Sequence, residues 1–273
     1  MSAVFAIANQ KGGVGKTTTA VNLGASLAVA EQKTLIIDLD GQGNATSGLG
    51  LDVGIDRTSY DLLTGRHPAE ECVARAVHLP LLDVMPASHE LFGTEMLLGK
   101  RDGREKILRQ ALDPIRESYD YILLDSPPSL GLLKLNILST ADSVIIPIQC
   151  EYLALEGIGQ LLRTIRVVQK RLNSDLDIEG ILLTLYDGRT RHAKQVSVEA
   201  KEYFPTKVYD TIIPRNIRLA EAPSFGQPII CYDAVCKGAL AYLDLAKEVI
   251  ERRGSRKKSG ARVVSGASAQ GDS

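Results

Sequence analysis

Residues 6–19 read Ala6-Ile-Ala-Asn-Gln-Lys-Gly-Gly-Val-Gly-Lys-Thr-Thr-Thr19. An apolar run ends, three glycines and two lysines follow within six residues, and threonines open an amphipathic segment. A strand that passes through such a turn into a helix is suited to holding phosphate. Gly12, Gly13 and Gly15 let backbone N–H groups turn inward around phosphate oxygens. The new helix adds its partial positive end at the same point. The P-loop spacing G-x-x-x-x-G-K-[ST] is met at Gly15, Lys16 and Thr17, whereas Gln10 stands where its first glycine belongs. Lys16 is expected to contact the β- and γ-phosphates, and the Thr17 hydroxyl to hold Mg²⁺. Val14 and Thr18 complete the expected nucleotide cradle.

Outward from this loop, short apolar runs alternate with amphipathic stretches. The β-like runs are Val4–Ala8, Thr34–Asp40, Leu81–Pro86, Tyr121–Asp125, Ser143–Ile148, Ile178–Leu185 and Val208–Ile213. Helices are expected over Thr17–Ala30, Gly103–Glu117, Ala154–Leu172, Arg191–Tyr203 and Lys237–Arg252. Several strands are continuously apolar, a sign of burial on both faces. The expected fold is α/β: a single P-loop NTPase domain over residues 1–251, with a mostly parallel, twisted sheet flanked by helices on both faces.

Two strand ends carry acids. In Thr34-Leu-Ile-Ile-Asp38-Leu-Asp40 the aspartates lie two residues apart and so point to one side, at the carboxyl end where α/β sheets place ligands. Two carboxylates facing an anionic nucleotide need a cation or water between them and the phosphates. Tyr121-Ile-Leu-Leu-Asp125 has the Walker B form, and Asp125 is expected to bind Mg²⁺ through water.

The chain has 273 residues, 44% hydrophobic and 24% charged, enough for a sizeable core. No run of 18 apolar residues suggests a membrane-spanning helix, and no export signal is visible. Cys72, Cys150, Cys231 and Cys236 form no CxxC pair, so zinc, dithiol and iron–sulfur sites are not indicated. A soluble, cytoplasmic protein is expected. Net charge is −1, but Arg252–Ser273 holds six basic residues and one acid, which leaves −6 for the remainder. Rich in Ser, Gly and Ala, residues 252–273 are expected to form a disordered basic tail.

The run Lys11-Gly12-Gly13-Val14-Gly15-Lys16-Thr17 resembles the deviant Walker A box of the ParA/MinD family of ATPases. The likeness continues at Gly41–Ser47, Asp125-Ser-Pro-Pro-Ser129, Pro147–Glu156, Tyr186–Thr190 and Ile213–Ser224, and so extends over residues 4–251. It implies ATP and Mg²⁺ as ligands and an ATP-dependent homodimer in which Lys11 reaches the partner's phosphates. A cation supplied in trans has the electrostatic role of an arginine finger. The resemblance further implies Thr17, Asp38 and Asp125 around Mg²⁺, and Asp40 positioning the attacking water, with Lys11 and Lys16 as the other catalytic groups. Pro214 and Asn216 are implied to border the adenine. Gly41 stands where the family usually carries proline, which leaves that switch segment more freedom.

Within this family the likeness is to the chromosome-partitioning ParA/Soj branch. It implies nonspecific double-stranded DNA and a ParB-type centromere-binding protein as partners, with release from DNA on stimulated hydrolysis. Location on the nucleoid follows. Between Asp187 and Arg218 there are seven Lys/Arg and four Asp/Glu, a local +3. On the expected helix from Arg191, residues Arg191, Lys194 and Lys201 share one side, while Ala193, Val196, Ala200 and Tyr203 share the other. The basic side suits a phosphate backbone. Arg191 and Lys194 are therefore candidate DNA contacts, and the resemblance adds Arg189 and Arg218. No apolar helical face closes the chain, so MinD-like membrane binding is not expected. No separate operator-binding domain is expected either. The rival reading is a related ATPase that positions a protein cluster or other cargo instead of the chromosome. A metabolic kinase fits poorly with paired lysines and strand-end carboxylates.

Overall fold

The computed structural model of the chain describes residues 2–54, 56–151 and 158–267, with side chains described to residue 255. Its six strands are β1 (Ala3–Ile7), β2 (Thr34–Asp38), β3 (Leu82–Met85), β4 (Tyr121–Asp125), β5 (Ser143–Gln149) and β6 (Asp177–Thr184). β1, β2 and β4 are buried at every position, as their unbroken apolar sequences require. The strands form one sheet in the order β3-β2-β4-β1-β5-β6, parallel throughout. Parallel neighbours need crossovers, and the crossovers bring helices over both faces.

The helices are α1 (Lys16–Val29), α2 (Asn44–Gly48), α3 (Ser59–Thr64), α4 (Thr94–Leu98) and α5 (Ile107–Arg116). There follow α6 (Leu132–Thr140), α7 (Ile158–Arg171), α8 (Arg191–Tyr203), α9 (Ile217–Glu221), α10 (Ile229–Tyr232) and α11 (Lys237–Ala267). Side chains alternate between the two layers. Val4 and Ala6 of β1, with Ile122 and Leu124 of β4, pack among residues of α3, α5, α6, α7 and α8. Phe5, Ile7, Tyr121 and Leu123 face α1 and α11 on the other side. Burying Leu245 and Val249 of α11 contributes on the order of 1.5–3 kcal/mol each.

Three expectations need correction. Val208–Ile213 is not a regular strand: it meets β6 at an isolated bridge of Val208 with Ile181 and through Ile213 N, which donates to Leu183 O at 2.9 Å, and a second bridge, Tyr186 with Pro214, lies just beyond both segments. Between them the N–H groups of Asp210 and Thr211 donate to the Glu248 carboxylate of α11, at 2.9 and 3.0 Å. A side chain has captured the donors that a ladder would use. The last helix, expected to end at Arg252, continues as α11 to Ala267, a segment with no proline to stop it. Arg252 pairs with Glu248 at 2.6 Å and lies over the Tyr209 ring, and Arg253 donates to Asp120 O at 2.8 Å. Tyr203, expected on the buried side of α8, is 73% exposed, because that side has already turned outward in the helix's last turn. The start of the helix expected at Ala154, and part of the Pro147–Glu156 likeness, lie outside the described residues.

Candidate active site

The chain leaves β1 at Ile7 and turns through residues 8–15 before α1 begins. Gly13 and Gly15 hold left-handed backbone at φ +73° and +85°, a conformation that costs other residues about 1–2 kcal/mol. Gly15 caps α1 without a side-chain hydrogen bond, so the first N–H groups of the helix are left for a ligand. The loop is tied down from outside. Asn9 Nδ2 donates to Pro147 O at 2.7 Å, Lys11 N donates to Asn9 Oδ1 at 3.1 Å, and Thr184 Oγ1 of β6 donates to Val14 O at 2.8 Å. Lys16 Nζ donates to Lys11 O at 3.2 Å. Burial lowers the Lys16 ammonium from its ordinary range, against the opposing pull of Asp125 and Asp40. Lys11 itself is exposed, and among the described residues no acid pairs with its side chain.

A cavity of about 520 Å³ opens over this loop, lined by Gly12, Gly13, Gly15, Lys16, Thr17 and Thr18 below. Asp40, Asn22, Pro128 and Pro223 are among the other walls. Its size is that of a small-molecule site. A contiguous recess of about 110 Å³, sharing Gly15, Thr18 and Leu185, is bounded by Pro214 and Asn216. Asn216 Oδ1 accepts Leu219 N at 3.3 Å as the cap of α9, which leaves its amide N–H groups for a base edge. The P-loop residues and the two base candidates are thus brought together around one continuous space.

Below the cavity lie the acids. Strand register sets Asp38 of β2 directly beside Asp125 of β4. Asp38 serves as an anchor: Oδ2 accepts Thr46 N and Thr46 Oγ1 at 2.9 and 2.7 Å, and Oδ1 accepts Asp40 N at 3.1 Å. Burial raises its carboxyl, while the Thr46 and Asp40 hydrogen bonds counter the shift. It does not line the cavity, whereas Asp40, 8% exposed, does. Asp125 is wholly buried, and among the described residues neither of its carboxylate oxygens meets a partner in hydrogen-bonding geometry, the Thr17 hydroxyl standing close enough only to act on it electrostatically. Burial, then Asp38 alongside, pushes its carboxyl well above the usual range, opposed by the Thr17 hydroxyl and Lys16.

Such an orphaned carboxylate, beside the Thr17 hydroxyl, fits a hard cation. Among the described residues no group of three or more His, Cys, Asp or Glu could hold a metal. Mg²⁺ keeps waters and uses one or two protein groups plus substrate phosphates, groups that the Asp125 carboxylate and the Thr17 hydroxyl could supply. Gly41, expected to loosen the switch segment, is buried and held: His89 Nδ1 lies 2.9 Å from its carbonyl oxygen, and the Phe92 ring packs against its Cα.

Thr46 was not legible as a site residue, yet its hydroxyl donates to Asp38 and accepts Ala87 N at 2.8 Å. Thr46→Val keeps the shape and deletes both bonds. It should destabilise the protein by about 1–3 kcal/mol, read as a lower midpoint in urea unfolding; an unchanged midpoint would remove Thr46 from this role. Lys134 was missed as well, although a lysine inside Leu132-Leu-Lys-Leu-Asn-Ile-Leu138 is a visible break in an apolar run.

The DNA candidates lie apart from the cavity lining. Arg189 is 89% exposed but gripped by Asp187 through two bonds, at 2.9 and 2.6 Å, which hold the aspartate carboxyl down to about 2. Arg218 pairs with Glu221 at 2.9 Å and stands 3.6 Å from Asp233. Arg191 and Lys194 are exposed on α8 and have no ion-pair partner among the described residues, while Ala193, Val196 and Ala200 are buried beneath.

Comparison with known proteins agrees with this geometry. A family described as AAA domain (AAA_31) matches residues 2–178. The sporulation initiation inhibitor protein Soj of Bacillus subtilis is 54% identical over 250 residues, 91% of this chain and 98% of that one. The chromosome partitioning protein ParA of Myxococcus xanthus is 53% identical over 91% of this chain and 88% of its own. A solved structure described as cobyrinic acid a,c-diamide synthase from Mycobacterium smegmatis, with bound ADP and magnesium, superposes with a TM-score of 0.82. It is 38% identical and is covered over 96% of its length, with 93% of this chain aligned. With a two-lysine phosphate loop, a Walker B aspartate beneath it and relatives matched almost end to end, the chain belongs to the ParA/Soj branch of the ParA/MinD ATPase family.

Proposed function

We propose that the chain is a Mg²⁺-dependent ATPase of chromosome or plasmid partitioning, active as an ATP-bound homodimer on DNA. The observation that carries the reading is the orphaned Asp125 carboxylate beneath a cavity that also presents Lys16, Thr17 and Asp40. Thr17 and Asp125 would hold Mg²⁺, which when bound would supply positive charge against the phosphates. Lys16 and the α1 N–H groups bind the phosphates, and Pro214 with Asn216 borders the base. Asp38 positions the Thr46 end of the switch, and Asp40 orients the attacking water.

Lys11, exposed and without an acidic partner among the described residues, is free to meet the phosphates of a second copy. Dimerisation then doubles the basic surface formed by Arg189, Arg191, Lys194 and Arg218. ATP assembles the DNA-binding form, and hydrolysis, accelerated by a ParB-type DNA-bound partner, releases it. The protein is accordingly placed on the nucleoid, and no helix among the described residues is long and apolar enough to cross a membrane.

The test is binding to random duplex DNA without nucleotide, with ADP, with ATP and with a slowly hydrolysed analogue. Binding is expected only with the triphosphates, and Lys11→Ala should lose it. With four contacts from each protomer, affinity should drop about 10³–10⁵-fold between 50 and 200 mM salt. No binding in any state would overturn the DNA reading and point to a protein cargo.

A further inference from the structure

Lys134 is the third residue of α6, the helix that follows the Asp125-Ser-Pro-Pro128 turn. Its side chain is 1% exposed, and Nζ, shut off from solvent, meets no hydrogen-bond acceptor among the described residues. An ammonium removed from water with nothing to bond is a standing cost to the fold. A methionine of similar length would fill the same space without it. The charges felt by Lys134 belong to the phosphate site: Lys16, Asp125 and Asp40. Burial first, then Lys16, lowers the ammonium to about 7, against the pull of Asp125 and Asp40.

A lone buried charge acts strongly on its surroundings, because little solvent screens it. Fields of this kind assist phosphoryl transfer, where the protein's main task is to stabilise displaced charge. We propose that Lys134 is a positioning residue of the hydrolytic site: its buried, partnerless ammonium sets the field around Lys16, Asp40 and Asp125, and serves turnover instead of stability or nucleotide affinity. The role rests on the ATPase reading above. In the step it assists, the water oxygen forms a bond to the γ-phosphorus as the bond to the β–γ bridging oxygen breaks. ADP leaves with that electron pair, and the proton lost by water passes to the phosphate product. Lys134 acts in its protonated form and takes no part in that proton transfer.

The experiment compares full-length wild type, Lys134→Met and Lys134→Arg, with Lys16→Ala as a nucleotide-binding control. Three quantities are read: single-turnover hydrolysis at saturating ATP and Mg²⁺, affinity for a fluorescent ATP analogue, and the thermal midpoint without nucleotide. Lys134→Met should slow turnover about tenfold with affinity essentially unchanged and an equal or higher midpoint. Lys134→Arg, which keeps the charge, should recover most of the loss. Normal turnover in Lys134→Met would overturn the proposal. So would turnover, affinity and midpoint falling together, or a stably folded Lys134→Arg protein as slow as Lys134→Met. Wild-type protein that binds the analogue but never hydrolyses ATP would instead overturn the ATPase reading on which the role depends.

Discussion

Asp40→Ala protein is expected to hold ATP and turn it over about 10²–10⁴-fold more slowly than wild type, the range lost with a positioned acid–base group. Asp40 lines the cavity, and one carboxylate oxygen, Oδ1, is engaged by Gln42 N at 3.0 Å. Its Oδ2 is left to orient water. The groups that hold phosphate, Lys16 and the open N–H groups of α1, are untouched by the substitution, and one negative charge near a polyanion is removed. Binding therefore survives while the chemical step stalls. Single-turnover assays beside equilibrium binding separate the two effects. The variant should accumulate as an ATP-bound dimer that stays on DNA, and wild-type turnover in Asp40→Ala would dismiss Asp40 from hydrolysis.

Asp125→Asn should have opposite effects on stability and activity. Burial and the neighbouring Asp38 raise the Asp125 carboxyl in the folded chain, so ionisation is harder there than in the unfolded chain. The penalty is absent below the ordinary carboxylate range, grows as pH rises through it, and is complete above the raised folded value. The neutral variant, free of Mg²⁺ and nucleotide, should accordingly melt higher than wild type near neutral pH. The gain is roughly 2–4 °C for each kcal/mol relieved, and it should shrink toward pH 4. Adding ATP and Mg²⁺ should reverse the order, because ligand stabilisation follows affinity. Hydrolysis should fall about 100-fold or more, in line with loss of a group that stabilises transferring charge. Equal melting at all pH values would show that Asp125 carries no electrostatic burden.

Much of this was legible because local and long-range demands coincide. Strand, glycine turn and helix are consecutive around Gly15, so one segment declares the phosphate loop. Unbroken apolar runs declare β1, β2 and β4, and the acids of β2 and β4 mark their carboxyl ends. Elsewhere the decisive partner is remote in sequence. Val208–Ile213 reads as a strand until Glu248, on α11, takes its central N–H groups. The run of α11 past Arg252 was not legible, because composition does not reveal that Arg252 and Arg253 settle on Tyr209 and Tyr121. Asp38 and Asp40 look alike in sequence, yet Thr46 claims the first and leaves the second to the cavity. Tyr203 fits the helical period, but the core ends before it does.

The bond from Thr184 to Val14 gives the molecule a short mechanical linkage. Thr184 closes β6, and α8 begins seven residues later at Arg191. A movement of the phosphate loop must either drag Thr184 with it or break a buried hydrogen bond worth about 0.5–1.5 kcal/mol. The intervening stretch has little slack: Tyr186 N donates to Ile213 O, Arg215 N to Tyr186 O, and Thr190 caps the helix through Ala193 N. A crank this short and braced at both ends has little room to absorb displacement, so a shift of the phosphate loop would be passed on toward the start of α8.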